Sequence, residues 1–218
     1  DSLDQEIVKT AMLIRANTLS KGFSGIRIEF IRNIIKMINS GVVPVIPSQG
    51  SLGSSGDLCQ LSHFALVLSK DNTDKNSESG KAIFNGKCLS GKEAMKIAGI
   101  DRLILGSKEG LALINGATFS AAIAALSVWD AHRMVDIANL ALSLSLEALQ
   151  GCSAAFDPRI QDARNLIGQK IVAGVVRKLL KGSTFIDSTH KVQDAYSLRC
   201  APQVHGAVYD TLQFVKSI

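Results

Sequence analysis

The sequence predicts a mainly α protein: a helical bundle with a long central helix and a small β-hairpin. Three observations predict it. Aromatic residues make up only 5% of the 218 residues while hydrophobic ones reach 46%, so the core is built from Leu, Ile, Val and Ala, a composition suited to helices. From Thr118 to Leu149 there is neither Pro nor Gly, and apolar residues recur at helical spacing. The stretch AIFNGKCL turns at Asn85-Gly86, a dipeptide that favours two-residue hairpin turns. With no internal repeat, residues 1–218 read as a single helical region.

The elements follow in order. Ser2-Leu3-Asp4-Gln5 has the form of a capping box and opens a first helix that ends at Gly22 or Gly25. Phe30, Ile31, Ile34, Ile35 and Ile38 form the apolar stripe of a second helix, closed by Gly41. The prolines of VVPVIPSQG force that stretch to be extended. A third helix starts behind Asp57 as N-cap, with Leu58, Leu61, Ala65 and Leu68 on one face. Residues 71–80, DNTDKNSESG, read as a polar, mobile loop. Ser90-Gly91-Lys92-Glu93 is a second capping box, opening a helix that stops at Gly99. The long helix over 118–149 is expected to be buried on several sides, and Phe156-Asp157-Pro158 breaks it. One further helix covers 161–181, SLRCAPQV is a turn around Pro202, and a last helix runs to Ile218.

Composition excludes several function classes. The net charge is +5, but the basic residues are scattered and not interleaved with aromatics, which argues against a nucleic-acid partner. Cys59, Cys88, Cys152 and Cys200 lack CxxC spacing and form no zinc pattern with the four histidines, so no metal is expected and a reducing cytoplasm is the expected compartment. The opening DSLDQEIVK has no apolar core of the signal-peptide kind. The longest uncharged run, 110–129, contains Asn115-Gly116 and Thr118, so no membrane span is expected.

One stretch stands out for chemistry: GSLGSSGDL, residues 50–58. It has three readings. The first is a plain connector. The second, a phosphate cradle, fails because the glycines have GxxGxxG spacing, neither the dinucleotide fingerprint nor a Walker loop; GKCLSGKE at 86–93 fails too, since Glu93 stands where Ser or Thr should hold magnesium. In the third, the Gly56 nitrogen attacks the Ser54 carbonyl and loss of two waters leaves a methylidene-imidazolone. That chemistry needs a β-hydroxyl in the middle (Ser55) and an unhindered glycine third (Gly56), with a helix start behind it to favour negative charge. Taken alone, these residues favour the flexible turn.

The rest of the chain changes that balance. GSLGSSGDLCQLSH resembles the GSxGASGDLxPLxH signature of the aromatic amino acid ammonia-lyases. RANTLSKGFSGIR (15–27), KEGLALINGATFS (108–120), SLSLEALQGCSAAFDPRI (143–160) and KVQDAYSLRCAPQVHGA (191–207) resemble further blocks of that family in the same order. The last two are similar to its histidine-specific members. The resemblance implies the core of the ammonia-lyase/fumarase-like fold. It also implies a 4-methylideneimidazole-5-one formed from Ser54-Ser55-Gly56, with Asp57 as the acid that supports its formation. Asn115 matches a residue near the cofactor and the substrate's amino acid group, Gln193 a polar lining residue, Tyr196 an active-site tyrosine, and Arg199 the arginine that takes the substrate carboxylate through its bidentate fork. The bland readings are a helix-capping turn for Asn115, a half-buried aromatic for Tyr196 and a surface salt bridge for Arg199. His63 and His205 read as structural, and His132 and His190 carry no signal.

The implied reaction is elimination of ammonia from L-histidine to give trans-urocanate, a step of histidine catabolism, in a homotetramer. The chain departs from the family pattern at Ser54 (usually Ala), at Gln60 (commonly Pro) and at Ala117-Thr118 (commonly Thr-Gln). Family members are more than twice this long, so the chain is expected to be their central portion, without the upstream catalytic tyrosine loop, and inactive alone. The rival readings are a tyrosine or phenylalanine ammonia-lyase or aminomutase, and a non-catalytic helical oligomerisation module.

Overall fold

The computed structural model describes all 218 residues, which divide into two compact units, Asp1–Leu126 and Ser127–Ile218. In the first unit, α1 (Gln5–Ser20) packs against α2 (Ile28–Ser40). The expected capping box at Ser2 is not formed: Asp4 is the N-cap without a side-chain bond, and Ser2 instead bridges to Pro47. Leu3 N–H donates to Ile46 O at 2.8 Å, which draws this stretch into an extended pairing before the helix begins. On α2 the buried face is Phe30, Ile31, Asn33, Ile34 and Met37, whereas Ile35 is exposed. The helical turn rotates Ile35 past the edge of the stripe, and Asn33 is tolerated inside because its Nδ2 donates to Asp101 O at 2.7 Å. Gly41 closes the helix in the left-handed region, φ 81°.

Strand β1 (Val43–Pro44) leads to α3 (Leu58–Leu68) and β2 (Ser69–Lys70). The hairpin is present as β3 (Lys81–Phe84) and β4 (Lys87–Ser90), with Asn85 and Gly86 both at positive φ in its turn. It gains a third strand: β1 pairs antiparallel with β3, Val43 opposite Ile83. The capping box that opens α4 (Gly91–Ile97) is complete, with Ser90 Oγ accepting from Glu93 N–H. Strand β5 (Leu103–Ile104) lies parallel to β2, α5 (Glu109–Ile114) follows, and α6 (Thr118–Ala148) begins in this unit. The expectation of a mobile loop at 71–80 is corrected. The buried Arg102 binds Leu66 O, Val67 O and Ser69 O at the end of α3 and the Asp74 carboxylate within the loop, and Asp71 Oδ1 accepts from both Thr73 and Asp74 N–H. One buried cation thus needs the loop as its counter-charge.

The second unit carries the rest of α6, which is one uninterrupted helix, as the missing Pro and Gly predict. The expectation that it is buried on several sides is not met: Trp129, Met134, Ile137, Leu140 and Leu144 are exposed. By length and composition alone Glu109–Ala148 is apolar enough to cross a membrane, but charged Asp130, Arg133, Asp136 and Glu147 lie along it. The single helix expected over 161–181 is two, α7 (Pro158–Arg164) and α8 (Ile167–Leu179). Asn165, at φ 54°, ends the first by adopting the left-handed conformation that Asn tolerates. The expected turn at SLRCAPQV is instead α9 (Tyr196–Arg199) running into α10 (Ala201–Ser217). Pro202 is compatible because it falls in the first turn of α10, where its missing N–H has no partner to lose. Helices α8 and α10 cross at Gly168 and Gly206, where a Cβ on either would collide with the other's backbone.

Candidate active site

Residues 50–57 form a loop held at its two ends. At the first end, Ser51 Oγ accepts from Cys59 N–H at 3.0 Å and donates to Gln60 Oε1 at 2.7 Å. At the second, Asp57 N–H donates to Gly116 O at 2.8 Å. Gly56 has φ 115° and sits flush against Gly116, where a methyl group would lie 2.6 Å from the Gly116 carbonyl oxygen. Only glycine meets both conditions. Between the anchors Ser54 and Ser55 are exposed, and their hydroxyls make no bond within the chain.

Asp57 is the backbone N-cap of α3, as the sequence implies, but its carboxylate does not cap that helix. With φ −97° and ψ 53°, the backbone is outside the extended geometry that folds a side chain back onto its own helix. The buried carboxylate instead accepts from Ser120 N–H and Ser120 Oγ, both at 2.8 Å, and so caps the first turn of α6. Ser51 serves α3 in its place.

Asn115 ends α5, and its side-chain amide is exposed and unbonded. Two arginines hold this short helix. Arg15, buried on α1, donates to Ala112 O and, at 2.8 Å, to Asn115 O, which suits a cation at a helix C-terminus. Arg27 binds Glu109 at the other end, with Nε to Oε1 at 2.8 Å and Nη2 to Oε2 at 2.7 Å; Gly106 N–H donates to the same carboxylate at 2.6 Å. These bonds, Arg27 first, hold the Glu109 carboxyl at about 2 despite its burial. Sequence reasoning missed Arg15, Arg27, Glu109, Ser51 and Ser120. The signal was available in part, because Arg15 and Arg27 bound the block RANTLSKGFSGIR and Glu109 is the first residue of α5, within the block KEGLALINGATFS.

The other expected residues belong to the second unit. Tyr196 is 70% exposed at the start of α9, not half-buried. Arg199 stacks its guanidinium 5.2 Å from the Tyr196 ring centre and pairs with no carboxylate, so the surface salt bridge is absent and its fork is open. Gln193 is exposed. Its neighbour Asp194 is buried and accepts from Cys152 N–H at 2.6 Å, while Lys191 Nζ donates to Leu149 O at 2.6 Å; both tie the segment to the end of α6. His205 Nδ1 hydrogen-bonds Asn139 Oδ1 at 2.8 Å, and burial lowers its pKa, as fits a structural histidine. The structure therefore brings Ser54-Ser55-Gly56, Asp57 and Asn115-Gly116 together in one unit, and Gln193, Tyr196 and Arg199 in the other.

The chain belongs to the family described as Aromatic amino acid lyase, whose profile matches residues 1–218. It is 48% identical over 220 residues to a histidine ammonia-lyase of Caldanaerobacter subterraneus subsp. tengcongensis, covering 100% of this chain and 42% of that protein. It is 49% identical over 217 residues to a histidine ammonia-lyase of Alkaliphilus oremlandii, covering 99% and 41%. Among solved structures, histidine ammonia-lyase from Trypanosoma cruzi matches with TM-score 0.83 and 37% identity over 98% of this chain and 38% of that one. Ergothionase from Treponema denticola matches with TM-score 0.88 and 30% identity over 100% and 42%. The mainly α fold with its long helix is therefore that of the ammonia-lyases and aminomutases. The chain spans about 42% of the length of the curated relatives it matches.

Proposed function

We propose that the whole protein carrying this chain is a histidine ammonia-lyase that converts L-histidine to trans-urocanate in the cytoplasm. The observation that carries the reading is the two-ended bracing of Ser54-Ser55-Gly56 in a chain 48% identical, over its full length, to a histidine ammonia-lyase. The residues fit the expected group: Gly56 has no room for a side chain, and the hydroxyls of Ser54 and Ser55 are free. When formed, the 4-methylideneimidazole-5-one supplies an electrophile, which makes loss of ammonia from an unactivated amino acid accessible.

The chain's own residues take the remaining tasks. Asp57, buried and fixed on Ser120, holds the third residue of the triad against Gly116 and supports ring formation. Arg199 offers an unpaired fork to the substrate carboxylate, and Tyr196 holds that guanidinium over its ring. The free amide of Asn115 receives the amino group, and Gln193 lines the site. The exposed apolar side chains of α6 are those a homotetramer would cover, with copies meeting along this helix. The 218 residues by themselves are expected to turn over no histidine.

The test uses the whole protein. Growth of urocanate absorbance from L-histidine, with an intact mass short of two waters, is the expected result. Turnover of tyrosine or phenylalanine in place of histidine reassigns the substrate. A protein with full mass and no turnover of any of the three would leave a helical oligomerisation module.

A further inference from the structure

We propose that Gln60 is a positioning residue for the Ser54-Ser55-Gly56 loop, acting through the hydroxyl of Ser51. The inference rests on the reading of that loop as the cofactor-forming triad.

Gln60 lies in the first turn of α3 and is buried. A buried amide oxygen needs a donor, and Ser51 Oγ provides it at 2.7 Å. The same Ser51 oxygen accepts from Cys59 N–H at 3.0 Å, one of the orphan donors of the helix start. Ser51 is therefore used in both directions, and Gln60 fixes which way its proton points. Gly50 adds a third contact at this end, since a Cβ there would collide with Cys59 Sγ. At the far end, Gly56 and Asp57 are fixed by Gly116 and Ser120.

Between these anchors nothing packs. Leu52 is 100% exposed, and Gly53, Ser54 and Ser55 are exposed as well. The conformation of the span is thus dictated by its ends. Ring closure forms one bond, from the Gly56 nitrogen to the Ser54 carbonyl carbon. The first water carries away the Ser54 carbonyl oxygen with the amide protons of Gly56 and Ser55. The second carries away the Ser55 hydroxyl with its α proton. Ring closure requires a tight bend at Ser55, and a released Ser51 end gives the span more conformations to lose before it bends.

The experiment follows the two-water mass deficit over time after expression of the whole protein, for wild type, Gln60→Ala, Ser51→Ala and Gln60→Glu, with thermal unfolding of each. We expect Gln60→Ala and Ser51→Ala to gain the deficit about three- to tenfold more slowly, the scale set by one buried hydrogen bond. Gln60→Glu keeps an acceptor for the Ser51 hydroxyl and should restore the rate whatever its melting temperature. A wild-type rate in Gln60→Ala and Ser51→Ala overturns the proposal. So does a Gln60→Glu variant as slow as Gln60→Ala, which marks a packing role only. A wild-type protein that never shows the deficit overturns the triad reading itself, and this proposal with it.

Discussion

The two units carry their proposed site residues on different kinds of support. In Asp1–Leu126 the triad stands on a continuous core in which Phe30, Phe64, Ile34, Leu68 and Leu113 are fully buried. In Ser127–Ile218 the core is a small cluster around Leu146, Phe156 and Val176, and long apolar side chains of α6 remain exposed. The polar residues follow suit. The first unit buries Arg15, Arg102, Glu109 and Asp57, each with specific partners. The second presents Tyr196 and Gln193 to solvent and leaves Arg199 half-buried, on one short helix and the segment before it. A reagent made from backbone needs a frame that restricts the backbone. A group that recognises a carboxylate needs only an open fork on a braced segment.

The largest test of this contrast is core truncation. Phe64→Ala should cost about 3–5 kcal/mol, while Leu146→Ala should fall near 2 kcal/mol because its sparse surroundings collapse more easily. Urea melts read by far-UV circular dichroism measure both, and equal losses would erase the distinction. Next comes Glu109→Gln, which removes the partner of Arg27. Because Arg27 is half exposed, a fall in Tm of only about 2–4 °C is expected. Its acid dependence has a definite sign. The folded carboxyl is depressed to about 2, so its contribution is complete above the ordinary value of 4.5 and is lost as pH falls toward 2. Ser90→Ala should cost about 1 kcal/mol by removing the reciprocal cap of α4.

The smallest effect separates the units by pH. Burial lowers the His205 pKa below 6.5, so the folded state favours the neutral ring and that contribution fades as pH falls below 6.5. Between pH 6.5 and 4.5 the second unit should therefore weaken while the Glu109 contribution in the first persists. Trp129, the one tryptophan, lies in the second unit and reports it by fluorescence. Its urea midpoint should shift slightly with pH in wild type and not in His205→Gln.

Much of the fold was legible because it depends on local signals. The Asn85-Gly86 turn, the Ser90–Glu93 box, the Gly41 stop and the long Pro- and Gly-free helix each act within a few residues, and each appears as the pattern implies. What stayed hidden depends on distant partners. The burial of α6 is set by what covers it, not by its own periodicity. Loop 71–80 looks mobile until Arg102 claims Asp74. The break at Asn165 lacks Gly or Pro, and Pro202 reads as a turn until its first-turn position is known. Around the proposed site, the loop before α3 and the Asp57 start of that helix were legible. The destination of the Asp57 carboxylate, 63 residues along the chain, was not.

That separation has a consequence for synthesis. A chain emerging from the ribosome presents Ser54-Ser55-Gly56 well before Gly116 and Ser120. Until those residues appear, Gly56 has no wall behind it and Asp57 no hydroxyl to hold. On the proposed reading, ring closure would wait through that interval, and an electrophile able to attack nearby thiols and amines would form only within its own enclosure. On that reading, the distance from Asp57 to Ser120 along the chain would act as a timer.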